Sequence, residues 1–168
     1  MNDRAPAPGG LALIEALVNT LDIDSGADSL DAPEAQARFA LTPQDVPAAR
    51  VLREALREAC LAHAGHGTST ALDALLADAP LRVTVSPSGE AALRPSGPPT
   101  LLARVAEAVA TGAADGTWMR LKACEADDCQ WAYYDRSPAA RSRWCSMAVC
   151  GARAKMRTYR ARRTAGAD

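Results

Sequence analysis

Cys124-Glu125-Ala126-Asp127-Asp128-Cys129 and Cys145-Ser146-Met147-Ala148-Val149-Cys150 repeat one spacing, C-x4-C, with fifteen residues between the two copies. Zinc is held by thiolates that arrive as two short-range pairs on either side of a longer loop, because each pair closes a tight turn over one edge of a tetrahedron. Two matched pairs are more specific than one, although a gap of four lies at the wide end of such knuckles. Four cysteines alone do not separate structural zinc from an iron–sulfur cluster, and two disulfides are the competing use. Residues 1–10 lack the basic-then-apolar layout of an export signal. A reducing cytoplasm is therefore expected, where disulfides are rare. One structural zinc per chain, on Cys124, Cys129, Cys145 and Cys150, is the reading carried forward.

The residues around the pairs suit a module too small for an ordinary core. Trp118, Trp131, Tyr133, Tyr134, Trp144 and Tyr159 gather in the last third of the chain, where bulky rings and a metal substitute for core volume. From Gln130 to Asp135, Trp131 and Tyr133 alternate with Ala132 and Tyr134, as in a short strand. After Cys150 and Gly151, the run Ala152 to Arg163 contains no helix breaker and reads as a helix with Arg153, Arg157 and Arg160 on one face.

Net charge is −1 over the 168 residues, but it is unevenly spread. Residues 1–119 carry 8 basic and 15 acidic side chains, a balance of −7, and residues 120–163 carry 11 and 4, a balance of +7. An acidic body joined to a basic end points to a polyanionic partner. Docking of one half on the other is the plain alternative.

Apolar residues form 48% of the chain, mostly Ala, Leu and Val with the single phenylalanine Phe39, which favours a helical core. Residues 1–10, with two prolines and two glycines, are expected to be a disordered leader. Helices are expected over Leu11–Leu21, Pro33–Phe39, Pro47–His63, Thr70–Ala79 and Pro99–Ala114, several opened by a capping residue before proline. On the third, Val51, Ala55 and Ala59 with Leu52, Leu56 and Cys60 mark the buried side, and Arg53 and Arg57 the wet side. Leu81, Val83 and Val85 alternate with polar residues, and a turn at Ser86–Gly89 leads to a returning strand over Glu90–Arg94. The fold class is α+β: a mainly helical domain with one hairpin over 11–119, then a four-cysteine zinc finger over 120–163 ending in a basic helix. Residues 164–168 read as a disordered tail. No apolar run is long enough to cross a bilayer.

The run from Cys124 to Arg163, C-x4-C-x-W-x-x-Y-D-x-S followed by R-x-R-W-C-S-M-x-x-C-G-x-R-x-K-x-R-x-Y-R-x-R, resembles the CGNR zinc-finger family of bacterial regulators. Leu11 to Leu21, with Leu17-Val18-Asn19-Thr20, resembles the opening of the ABATE domain that precedes that finger and is described as a stress-induced transcription regulator. The resemblance implies a treble-clef or ribbon-like zinc finger that binds double-stranded DNA, fused to a domain that senses a ligand. It places the signature on Cys150, Gly151, Ala152 and Arg153, with Ala152 where the family has Asn.

A zinc-dependent DNA-binding transcription regulator, cytoplasmic and nucleoid-associated, is thus expected. The candidate DNA contacts are Arg143, Arg153, Lys155, Arg157, Arg160, Arg162 and Arg163. The alternative is a zinc-stabilised protein-interaction module whose basic face meets an acidic partner. Asn19 and Thr20 are candidate ligand contacts for a small-molecule effector, with helix capping as their plain alternative. The effector, the operator and a homodimer are left open by the sequence. Cys60, His63 and His66 could in principle bind a catalytic metal. They lack a nearby carboxylate, and no phosphate loop, nucleophile elbow or paired-carboxylate motif occurs, so no enzymatic activity is expected.

Overall fold

The computed structural model describes residues 4–165. Its helical body comprises α1 (Leu11–Val18), α2 (Pro33–Arg38), α3 (Val46–His63), α4 (Leu72–Leu76) and α5 (Leu101–Ala114), with a hairpin of β1 (Leu81–Val85) and β2 (Ala91–Pro95) between α4 and α5. A second hairpin, β3 (Leu121–Ala123) with β4 (Ala132–Tyr134), leads through a long loop to α6 (Ala152–Ala165). The class is α+β. The expected helices are present, all with shorter ends except α3, which starts one residue earlier at Val46; the one over Thr70–Ala79 contracts most, to the five residues of α4.

Local chemistry sets these boundaries. Before α3, the Thr42 backbone N–H donates to Asp45 Oδ2 at 2.8 Å and the Thr42 hydroxyl to the same oxygen at 2.7 Å, closing a capping box around Pro43. Thr100 Oγ1 accepts from Ala103 N–H at 3.2 Å and starts α5. Gly10 opens α1 where a Cβ would lie only 2.8 Å from Ala108 Cβ, so glycine is what lets α1 begin against α5.

The body's core is made by α1, α3 and α5, with Ile14, Leu17, Leu56 and Val105 fully buried. On α3 the expected wet side is wrong. Arg53 and Arg57 are buried, while Val51 is 57% exposed. Arg53 Nη1 donates to Thr20 Oγ1 at 3.1 Å and Asp28 Oδ2 at 2.8 Å. Arg57 Nη2 donates to the Val18 carbonyl at 3.0 Å and its Nε to Glu54 at 3.0 Å. A guanidinium offers five donors in a fixed fork, so it can be buried where carbonyls and carboxylates converge on it.

The boundary expected at residue 120 is not a boundary in space. Leu121 pairs with Tyr134 and Ala123 with Ala132, and these four side chains belong to the same buried cluster as α1 and α3. Lys122 and Tyr133 point the other way, as strand pleating requires, and Tyr133 packs in the cysteine cluster. The hairpin β3–β4 is therefore a wall shared by two cores. Three polar links cross it from the body: Asn19 exchanges two hydrogen bonds with the Ala132 backbone at 2.9 and 2.7 Å, Arg57 Nη1 donates to the Gln130 carbonyl at 3.2 Å, and His63 Nδ1 donates to the Leu121 carbonyl at 2.8 Å.

The leader expected to be disordered is held from Arg4 onward. Arg4 donates to the carbonyls of Cys145 and Trp144 at 2.9 and 3.0 Å and lies over the Tyr133 ring. Arg136 donates to the carbonyls of Ala5 and Pro6, and Ala7 is buried with its N–H on Glu15. Residues 1–3 lie outside the described residues. Of the expected tail, Thr164 and Ala165 continue α6, and residues 166–168 also lie outside them.

The hairpin β1–β2 lines no part of the apolar cleft of the body. Val83 and Val85 are exposed. The apolar cleft of about 260 Å³ lies elsewhere, among Leu41, Leu52, Leu75, Leu101 and Leu102 of the helical body.

Candidate metal centre and basic helix

Each knuckle is built by backbone hydrogen bonds. In the first, the Ala126 carbonyl accepts from the N–H groups of Cys129 and Gln130 at 2.8 and 3.0 Å, and Gln130 closes the turn at φ +46°. In the second, Ser146 caps a π-helical turn over Met147–Gly151, its Oγ accepting from Val149 N–H at 3.3 Å. A Cβ on Gly151 would approach Met147 Sδ to 3.0 Å and Trp144 Cδ1 to 3.3 Å, so a larger residue after the last cysteine would displace the Met147 side chain.

The four Sγ atoms lie within 4.8 Å of one another, and among the described residues no other group of three or more potential ligands converges so closely. Cys129 and Cys145 are 3.6 Å apart and Cys145 and Cys150 3.7 Å. A disulfide needs about 2.05 Å, so these are free thiols. Tetrahedral zinc with bonds of about 2.3 Å has sulfur–sulfur edges of about 3.8 Å, and the observed separations fit. Crowding affects titration as well. Hydrogen bonds from Cys129 and Cys145 hold the Cys124 thiol far below its ordinary range, while that neighbour pushes Cys129 and Cys145 up. Four sulfurs this close cannot all ionise without a cation between them.

The family model of the CGNR zinc finger matches residues 120–163. No curated protein matches the chain. The CGNR finger carries its four cysteines in position to bind one zinc ion. Lys122, behind this centre, is buried with its ammonium 3.1 Å from Asp135, which has no exposure. Burial would raise the Asp135 carboxyl, but hydrogen bonds from Ser137 and Ser142 hold it well below the carboxylate range.

The cations proposed from sequence divide into two sets. Arg143 Nε pairs with Glu125 at 2.6 Å. Arg153 Nη1 pairs with Asp128 at 3.0 Å, and its Nη2 donates to Cys150 Sγ at 3.3 Å. The Cys150 hydrogen bond, followed by the Asp128 charge, raises its pKa. These two arginines serve the finger, and the acids they pair with are not those of the body. Lys155, Arg157, Arg160, Arg162 and Arg163 are exposed along α6, and Ala152 is exposed at its start.

Asn19 and Thr20 use their polar groups inside the protein. Asn19 joins β4 as described, and the Thr20 hydroxyl donates to the Leu17 carbonyl at 2.7 Å while accepting from Arg53. Cys60, His63 and His66 have three separate placements. Cys60 is buried, and burial pushes its thiol up to about 12. His63 stacks edge-on to Trp118, and His66 Nε2 sits 2.9 Å from Glu125. Sequence reading missed Arg4, Arg57, Glu125 and Asp128. Only Glu125 and Asp128, each adjacent to a ligand, carried a signal that could have marked them.

Proposed function

We propose that the protein is a transcription regulator that binds double-stranded DNA through α6. The supporting observation is the helix itself. Every side chain from Lys155 to Arg163 is exposed, five of the nine are cations, and Ala152–Ala165 contains no acid. A helix exposed on all sides from Lys155 onward gains little from burial, so its conformation depends on the zinc knuckle at one end and on a partner along its length. Cations so arranged neutralise phosphates and release counterions. The helical body, whose opening resembles ABATE, is the regulatory half in this reading, and a cytoplasmic, nucleoid-bound location follows from the partner. The separate placements of Cys60, His63 and His66 support a non-enzymatic role.

Titration of the zinc-loaded chain with duplex DNA at several salt concentrations tests this proposal. A steep fall of affinity with salt supports it, and binding that ignores salt, or no binding, refutes it. One observation favours a protein partner instead. Met147, Val149, Met156 and Tyr159 are all more than half exposed on the turn and helix that carry the cations. A partner that binds tightly in high salt and is not displaced by duplex DNA would establish that second reading.

A further inference from the structure

Arg153 occupies the first turn of α6 and is in contact with both halves of the metal centre. Its Nη2 lies 3.3 Å from the sulfur of Cys150, in the second knuckle, and its Nη1 lies 3.0 Å from Asp128, in the first. One rigid fork thus joins the two knuckles, which the long loop separates in sequence. Two buried side-chain polar atoms lack a hydrogen-bond partner among the described residues, and they are Arg153 Nε and Asp128 Oδ1. Both residues line a cleft of about 360 Å³ whose wall also includes Cys129, Cys145 and Cys150. Buried polar atoms are almost always paired, so two orphans in one ion pair mark a position kept for something other than packing.

The charge balance indicates what that is. Four thiolates around one zinc leave two negative charges, and a guanidinium on one sulfur removes half of that excess. We propose that Arg153 is the positioning residue of the metal centre, retaining zinc through Cys150 and fixing the direction of α6 through Asp128, and that it does not contact the partner. The proposal rests on the zinc reading and is independent of whether that partner is DNA.

The test uses the full chain with zinc, and with cobalt in its place, in four variants: Arg153→Ala, Arg153→Lys, Asp128→Asn and Arg157→Ala. Zinc release to a chromogenic chelator is followed at neutral pH, and the sulfur-to-cobalt charge-transfer band is recorded. Arg153→Ala should weaken zinc retention about ten- to hundred-fold, as loss of an outer-shell partner does, and shift the band. Arg153→Lys should restore the band in part, because an ammonium supplies charge to one partner without spanning both. Asp128→Asn should release zinc faster than the parent with little change in the band, and Arg157→Ala should match the parent in both. Parent-like release and band in Arg153→Ala would overturn the proposal, as would equal effects in Arg153→Ala and Arg157→Ala. If Arg153→Ala does not fold, Arg153→Lys and Asp128→Asn decide: parent-like behaviour in both refutes it. The salt dependence of DNA binding, measured on the same variants, reports separately on the partner. There Arg157→Ala should lower the slope and Arg153→Lys should not.

Discussion

Asp135 and Lys122 show what one residue contributes here. The carboxylate is wholly buried, pairs with the ammonium and accepts N–H groups from Ser137 and Ser142 at 3.0 and 2.8 Å. Removing one member of such a pair strands the other charge out of water, which costs about 3–5 kcal/mol. Asp135→Asn should lower stability by that order in urea unfolding, and a loss below about 1 kcal/mol would show that the pair is not buried in solution. His63 makes a second prediction. Burial is the main cause that lowers its pKa, outweighing the Leu121 hydrogen bond that raises it. The unfolded imidazole therefore protonates first as pH falls. The stability it confers is complete above about pH 6.5 and declines as pH drops from there towards the folded pKa. His63→Gln should flatten that part of the stability profile, and parallel profiles for variant and parent would disprove it. Neither role was legible in the sequence. Asp135 reads as a polar strand end, and His63 as the last residue of an amphipathic helix. Arg53 and Arg57 were misread for a related reason: periodicity places arginine by polarity, whereas their carbonyl and carboxylate partners other than the neighbouring Glu54 come from α1, the Asp28 turn and the Gln130 knuckle, far along the chain.

At the scale of elements, α6 was the most legible and β3 the least. A breaker-free run after a capped turn needs no tertiary information to be read as a helix. Leu121-Lys122-Ala123 is too short to show a period, and it becomes a strand only because β4 folds back beside it. The structure also changes what α6 is expected to do. Sequence spacing puts Arg153 and Arg157 on one face as candidate DNA contacts alike, but Arg153 is tied to Cys150 and Asp128. Arg157→Ala, Arg162→Ala and Arg163→Ala should each reduce the salt slope of DNA binding by about one unit. Ala152 is exposed beside the start of the helix, so Ala152→Asn should alter affinity or preference for duplexes without changing zinc content. Titrations on specific and random duplexes, with metal analysis of each variant, check both statements. Slopes unchanged in all three arginine variants would remove α6 from the DNA interface.

The whole molecule behaves as one unit if its two cores share a wall. Structural zinc in small fingers contributes about 10–16 kcal/mol at neutral pH, comparable to the entire stability of an ordinary domain, about 5–15 kcal/mol. Chelating the metal under reducing conditions, or replacing Cys129 by Ser, should therefore loosen α1 and α3 as well as the finger. Helical circular dichroism and hydrogen exchange in residues 11–63 would follow zinc loss in one transition. Full protection of those helices in the metal-free chain would show that the body stands alone. This cooperativity was hidden in the sequence because the cysteine pattern marks where a finger begins chemically, and only packing shows that its first hairpin completes the preceding core.

That shared hairpin also has a consequence for how the chain is made. The helices α1 and α3 leave the ribosome long before Tyr134, the last residue of the wall that covers them. At about 5–20 residues per second, the stretch from residue 120 to 134 takes on the order of one to three seconds to synthesise, and the remaining residues hold it in the exit tunnel for longer. During that interval the apolar faces later covered by Leu121, Ala123, Ala132 and Tyr134 have no cover, so the nascent body is a chaperone substrate. Stalled chains ending at residue 119 should be captured by a hydrophobic-binding chaperone, and full-length chains released with zinc present should not. Supply of the metal thus governs yield during translation, before any partner is encountered.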